Sequence, residues 1–204
     1  LGHDPDLGAT PDGGLTKQGT GTLSLTTNNT FTGAVAVEAG TLKLGVANTL
    51  AADVSAFVAS NAVLDVNGKA QTLAGLAGSG TVTNNGLLTV TLGVAPGTTN
   101  AIGTLTLASR PAALSGDFLV DVAADGSCDR LHVQGDLDLT GLNVALSNPG
   151  ALSKSARYVI ASCEGTLTGP FNSKSLPTRW QVSYHAAARE VLLRYDFGTL
   201  MLLN

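Results

Sequence analysis

Six aspartates crowd one short stretch: Asp117, Asp121, Asp125, Asp129, Asp136 and Asp138. Two carboxylates converging on a groove can divide general acid and general base work in hydrolysis. Asp121, Asp125 and Asp129 are the catalytic candidates on that reading. Carboxylates can instead gather Ca2+, which takes about six to eight oxygen ligands. Asp136 and Asp138 are the candidates there, and Ca2+ is the one cofactor the sequence suggests. The plainer reading is solvation. Leucines alternate with acid in Leu137-Asp138-Leu139, so Asp136 and Asp138 face water if the leucines are core. Phe118, Val120 and Val122 share one strand face and leave Asp121 on the other, while Asp125-Gly126 reads as a turn. Asp125-Gly126-Ser127 holds the letters of the aspartic-protease motif in exchanged order, and no second copy completes a dyad.

The other reactive side chains are scattered. His3, His132 and His185 have no metal-ligand spacing, and no Cys-x-x-Cys occurs. Ser127, Cys128, Asp129 and His132 are close in sequence, but a triad is a matter of geometry. Gly78-Ser79-Gly80 reads as a turn, since no helix follows to make a phosphate cradle. Six arginines, Arg110 among them, are mixed with acids and form no run. Trp180 and Tyr184, near Phe171, suit either a carbohydrate-stacking platform or a hydrophobic lid over a last layer of structure.

The elements that must position these groups are strands. Short runs of Thr, Val and Leu bounded by Gly or Asn recur along the chain, as in Thr22–Thr26, Thr41–Leu44, Val63–Val66, Gly80–Thr83, Leu142–Leu146 and Tyr158–Ala161. Ala186–Leu193 is the best helix candidate, and its flanks read equally well as a hairpin. Asn84-Asn85-Gly86 and Asn67-Gly68 suit tight turns, yet most gaps are not two-residue hairpin loops. Comparable strands begin at Thr41, Val63, Thr81 and Thr104, at nearly even intervals. A period of roughly 20 residues is that of a solenoid coil, each coil pairing with the next. The chain is therefore expected to be an all-β parallel solenoid, with Leu and Val inside and Gly and Asn at corners.

Composition agrees. The chain has 204 residues, 44% of them apolar but only 4% aromatic, which suits a slim interior. Residues 1–100 hold three Lys, no Arg, and only Phe31 and Phe57 as aromatics, whereas the remainder holds the single Trp and all three Tyr. The first half reads as repetitive scaffold, the second as more individual. A net charge of −4 gives no basic footprint for nucleic acid. No apolar run approaches the roughly 20 residues of a membrane-spanning helix, so this segment is not expected to insert into a membrane. The opening Leu1 reads as a mature form or an excised fragment.

Gly19-Thr-Gly-Thr-Leu-Ser-Leu25, Asn29-Thr-Phe-Thr-Gly33 and Val37-Glu-Ala-Gly-Thr-Leu-Lys-Leu44 resemble the autotransporter-associated β-strand repeat of bacterial passenger domains. Gln71-Thr-Leu-Ala-Gly-Leu76 and Gly78-Ser-Gly-Thr-Val82 continue the likeness. Asp129-Arg-Leu-His-Val-Gln-Gly135 and Leu167-Thr-Gly-Pro-Phe171 are similar to the autochaperone segment that ends such passengers. The resemblance covers roughly 17–195. It implies a right-handed, three-sided parallel β-helix with a more irregular, capped C-terminal half, secreted or on the outer surface of a Gram-negative-type bacterium. Such passengers are usually followed by a membrane barrel. In an exported protein the pair Cys128 and Cys163 favours a disulfide, the alternative being two unpaired structural thiols.

The expected organisation is a flexible segment over 1–16, repeat coils over 17–107, a capping half over 108–197 and a tail over 198–204. The expected role is structural, adhesive or stalk-like, with the C-terminal half as folding nucleus and cap. Two alternatives stand beside it. One is an extracellular hydrolase, aspartic-type or glycan-cleaving, acting on host glycoprotein through the clustered aspartates. The other is a carbohydrate- or cation-binding module. The partners implied are extracellular glycoprotein or polysaccharide.

Overall fold

A computed structural model describes Asp6 and residues 12–83, 87–98, 101–108 and 112–198. His3, Arg110, the Asn84-Asn85-Gly86 turn and all but the first residue of the expected tail lie outside the described residues. The chain winds as a parallel β-solenoid of about 6 turns, alternating between two sheets of nine strands each. The first sheet runs β1 (Leu15–Lys17), β3 (Val35–Val37), β5 (Ala56–Val58), β7 (Gln71–Gly78), β9 (Leu88–Pro96), β12 (Gly116–Val120), β15 (Leu142–Leu146) and β18 (Ser173–Ser175), with β11 (Ala113–Leu114) also on β9. The second starts with β2 (Thr22–Leu25), β4 (Gly40–Leu44), β6 (Ala62–Asp65), β8 (Thr81–Thr83), β10 (Thr104–Ala108), β13 (Arg130–Val133) and β16 (Tyr158–Cys163). A third side is strand-paired at β14 (Leu137–Asp138) with β17 (Leu167–Thr168) and is otherwise made of turns among the described residues.

Register fixes which side chains go in. In the second sheet Leu23, Leu42, Leu64, Val82, Leu107, Val133 and Cys163 stand in one row, one from each successive coil. All but Leu23 are buried. Thr81 pairs with Thr106 rather than Thr104. A slip of two residues keeps the same face toward the core, so the expected inside and outside were unchanged. The first coil begins earlier than expected: β1 pairs with β3, and the Asp12 carbonyl accepts the Gly33 amide at 3.1 Å, so residues 12–16 belong to the solenoid. Asn48, Asn61 and Asn67 take positive φ at corners, as their side-chain chemistry permits.

Polar side chains hold coils together where strand pairing lapses. Gln71 is 1% exposed. Its Oε1 accepts the Leu50 amide at 3.1 Å and its Nε2 donates to the Leu50 carbonyl at 3.0 Å. It thus serves as a strand neighbour for a residue that has none.

After β16 the pairing changes sense. β19 (Trp180–His185) and β20 (Glu190–Tyr195) form a hairpin, and β20 lies antiparallel against β16. The Ala186–Leu193 stretch is therefore turn and strand, not helix. One hydrophobic core runs the length of the molecule. Its first coils hold aliphatics and Phe31, and its last hold Phe118, Tyr158, Phe171 and Trp180. Phe118 stacks on Phe171 at 5.8 Å, and Tyr158 meets Trp180 at 5.9 Å.

Two substitutions test this packing by chemical denaturation. Leu64→Ala, in the middle of the inward row, should cost about 3 kcal/mol through lost burial and a cavity. Gln71→Leu should cost about 2 kcal/mol, because the Leu50 amide and carbonyl lose their partners. A Gln71→Leu protein as stable as the parent would refute the bridging role.

Candidate functional site: a carboxylate cleft

Between β12 and β13 the chain makes a small excursion that decides the fate of the clustered aspartates. Asp129 N donates to Asp121 O at 2.8 Å, Ala123 N to Ser127 O at 2.9 Å, and Gly126 N to Ala123 O at 3.1 Å. This antiparallel turn brings Asp121 and Asp129 side by side and leaves Asp125 at its tip. Asn148 of the next coil clasps the turn, its Oδ1 accepting Val122 N at 2.8 Å and its Nδ2 donating to Val122 O at 2.9 Å.

Asp121 and Asp129 line one cleft of about 580 Å³ with Phe57, Ala77, Ala95 and Leu119. Asp129 is 2% exposed and spends both oxygens on backbone: Oδ1 accepts Gly103 N at 2.8 Å, and Oδ2 accepts Asp121 N at 2.9 Å. Gly97 sits at φ +80° directly against it, and a Cβ there would overlap Oδ1. Burial pushes the Asp129 carboxyl up to about 6, against the two amides that hold it down; the neighbouring Asp121 adds to the rise. Asp121 is 8% exposed, and among the described residues its carboxylate accepts no hydrogen bond. The cleft therefore offers one carboxylate locked by the backbone and one that is not. Hydrolysis by an acid and base pair needs two working groups.

Asp125 and Asp138 cap turns, while Asp117 and Asp136 face the next coil. Asp125 accepts Ser127 N at 2.9 Å and Ser127 Oγ at 2.7 Å, and the hydroxyl's bond holds its carboxyl below the usual range. Asp138 does the same for Thr140, and Asp136 accepts Thr166 N at 2.6 Å. Asp136 and Asp138 are exposed while Leu137 and Leu139 are buried, so the alternation points the acids outward. No group of three or more His, Cys, Asp or Glu poised for a metal ion occurs among the described residues.

The expected Cys128–Cys163 disulfide is corrected: both thiols are free. Cys128 Sγ donates to the Val159 carbonyl at 3.4 Å, whereas Cys163 lies four residues further along β16 beside Val133. At about 3.3 Å per residue that is roughly 13 Å of lateral offset. A disulfide requires Cα atoms within about 7 Å. The coils are neighbours, but the positions along them are not. Burial pushes the Cys128 thiol up to about 12, which removes it as a nucleophile.

Trp180 is likewise corrected as a sugar platform. It is 9% exposed, between Tyr158 and Tyr195 at 5.9 and 5.6 Å. Tyr184 accepts the Phe171 amide at 3.0 Å, and its ring sits 6.1 Å from that of Phe171. Both rings pack the last coil.

One constellation was invisible in sequence. His132 and Ser162 are register partners on adjoining coils, with His132 Nδ1 to Ser162 Oγ at 3.0 Å and His132 Nε2 to Glu164 Oε1 at 3.6 Å. The order resembles a hydrolase triad, but Arg130 also donates twice to that hydroxyl and Ser162 is 4% exposed. A carbonyl substrate has no approach to it.

What these features define is an elongated parallel solenoid bearing a surface cleft. Residues 15–44, its first two coils, match the family described as passenger-associated-transport-repeat. The solenoid is consistent with an autotransporter passenger β-helix, a kind of protein associated with secretion. Comparison with curated proteins finds no match.

The cleft makes stability depend on pH in a defined direction. An aspartate raised from 3.8 to about 6 binds its proton more tightly folded than unfolded. Its ionisation then opposes folding, and stability falls as pH rises from about 4 to 7. Melting curves of Asp129→Asn should lie below wild type, since one backbone amide loses its acceptor, and should show a flatter slope over that range. Parallel slopes would contradict the assignment.

Proposed function

We propose that the chain is a structural, stalk-like or adhesive part of a protein held outside a Gram-negative-type bacterium, with residues 108–197 as its cap and folding nucleus. The observation carrying this reading is the change of pairing at β16, where a parallel ladder gives way to the β19–β20 hairpin. An uncovered solenoid end exposes its core and presents an edge that recruits other strands. Trp180 and Tyr184 of the hairpin lie over Tyr158 and Phe171, which supports a covering role.

Folding order supports the nucleus. Each parallel rung must close a whole coil of chain before it gains a contact, and loop closure costs entropy. The hairpin closes over a short turn, Ala186 to Arg189. Local contacts form first. Once in place, the hairpin gives β16 a partner, and each coil then templates the next.

Truncation tests the role. Residues 1–109 alone should be poorly soluble or should lack a cooperative unfolding transition by far-UV circular dichroism, whereas a chain lacking 1–44 should still unfold cooperatively. A cooperatively folded 1–109 fragment would refute the nucleus, and collapse of the chain lacking 1–44 would reverse the assignment.

A further inference from the structure

The outward residues of the first sheet form an unusual row. Ala36, Phe57 and Ala77 are register partners, Ala77 pairs with Ala95, and Leu119 follows Phe118, whose partner is Val94. Ala145 pairs with Leu119, and beyond these six the row ends in Thr16, the partner of Ala36, and Ser175, the partner of Ala145. None of the six is polar. The matching row on the second sheet carries one apolar residue, Val63, among Thr22, Thr41, Thr81, Thr106, His132 and Ser162.

The apolar row is not flat. Ala77 and Ala95 stand between Phe57 and Leu119, and one step along the same strands Gly75 pairs with Gly93. Two adjacent rungs therefore lack bulk on their outer face, flanked by a ring on one side and an isobutyl group on the other. Strands lie about 4.8 Å apart, so the walls stand roughly 14 Å from each other. The resulting trough runs along the strands. It holds the 580 Å³ cleft and an adjoining cavity of about 270 Å³ that shares Ala77, Ala95 and Leu119. Leu92, 70% exposed at an irregularity of β9, lines the second cavity.

Charge at the trough has one sign. Asp121 lies at one end and exposed Asp117 at the other, and no Lys or Arg lines either cavity. Asp121 is more than nine-tenths buried, and among the described residues nothing donates to its carboxylate. A carboxylate that lines a cleft without a partner is a ready acceptor for a cationic donor. Both Asp129 oxygens are taken, so a hard cation would find too few ligands. The matching occupant has a narrow apolar body and one organic cation.

We infer that this trough is a docking site for an extended peptide segment, which lays its backbone over Ala77 and Ala95 and presents a lysine or arginine side chain to Asp121. The aliphatic stem of that side chain packs on Leu119 and Phe57 while its head reaches the carboxylate. This inference needs the solenoid, not the stalk, cap or adhesive role.

Fluorescence anisotropy of the intact chain with fluorescein-labelled, end-capped Thr-Val-Lys-Val-Thr tests it, alongside versions with Arg, Gln or Glu at the centre. The Lys and Arg peptides should bind at least about tenfold more tightly than the Gln peptide, the worth of one charge-assisted hydrogen bond. The Glu peptide should not bind. Asp121→Asn should erase the preference for Lys over Gln. Ala95→Leu, which adds bulk only on the outer face, should abolish binding of every peptide without altering the circular dichroism spectrum. The inference is overturned by equal binding of the Lys and Gln peptides or by no binding of either. Retention of Lys-peptide binding by folded Ala95→Leu overturns it as well. Failure here leaves the truncation experiment untouched, and the reverse holds.

Discussion

Everything in this molecule rests on the lateral pairing of one coil's backbone with the next, in a register that keeps the same face inward. Leu42, Leu64, Val82, Leu107 and Val133 occupy successive rungs of one interior row. A slip of a single residue would send that row into water and bring Thr41, Thr81 and Thr106 inside. Turns can lengthen freely because the cost of loop closure grows only slowly with length. Inward parity cannot change. This is why the step from Leu64 to Val82 is short and that from Val133 to Cys163 long, while the core stays continuous.

Coil length in turn sets what the interior can hold. The short early coils enclose aliphatics and the single ring of Phe31, and the longer late ones admit Tyr158, whose hydroxyl donates to the Ala123 carbonyl at 3.0 Å and accepts the Ser153 amide at 2.8 Å. The segment that lengthens the coil between β12 and β13 also carries the turn that joins Asp121 to Asp129. The individual features of the molecule thus arise from insertions into a monotonous frame. Where the coil is minimal, it is scaffold; where it is extended, it has room for a cleft and a lid.

Much of the frame was legible because strand alternation is local. Thr41–Leu44 and Leu142–Leu146 could be read from a handful of neighbours, and the coil period from the distances between such runs. The site was less legible because it depends on register between positions a full coil apart. The turn at Asp125-Gly126 could be read locally, but not that it would set Asp121 beside Asp129 and leave Asp125 at its tip. Cys128 and Cys163 do lie on adjoining coils, yet their lateral offset keeps them apart. The trough is the clearest instance. Ala77 and Ala95 carry no signal alone, and only their adjacency between Phe57 and Leu119 makes a recess.

The account stands on parallel stacking, and interstrand contacts measured by nuclear magnetic resonance test it most directly. With the chain isotopically labelled, the backbone protons of Leu42 should show close contacts to those of Leu64, Leu64 to Val82, and Val82 to Leu107, each in parallel register. Antiparallel contacts between sequence-adjacent strands, such as β4 with β5 or β6 with β7, would contradict the whole construction.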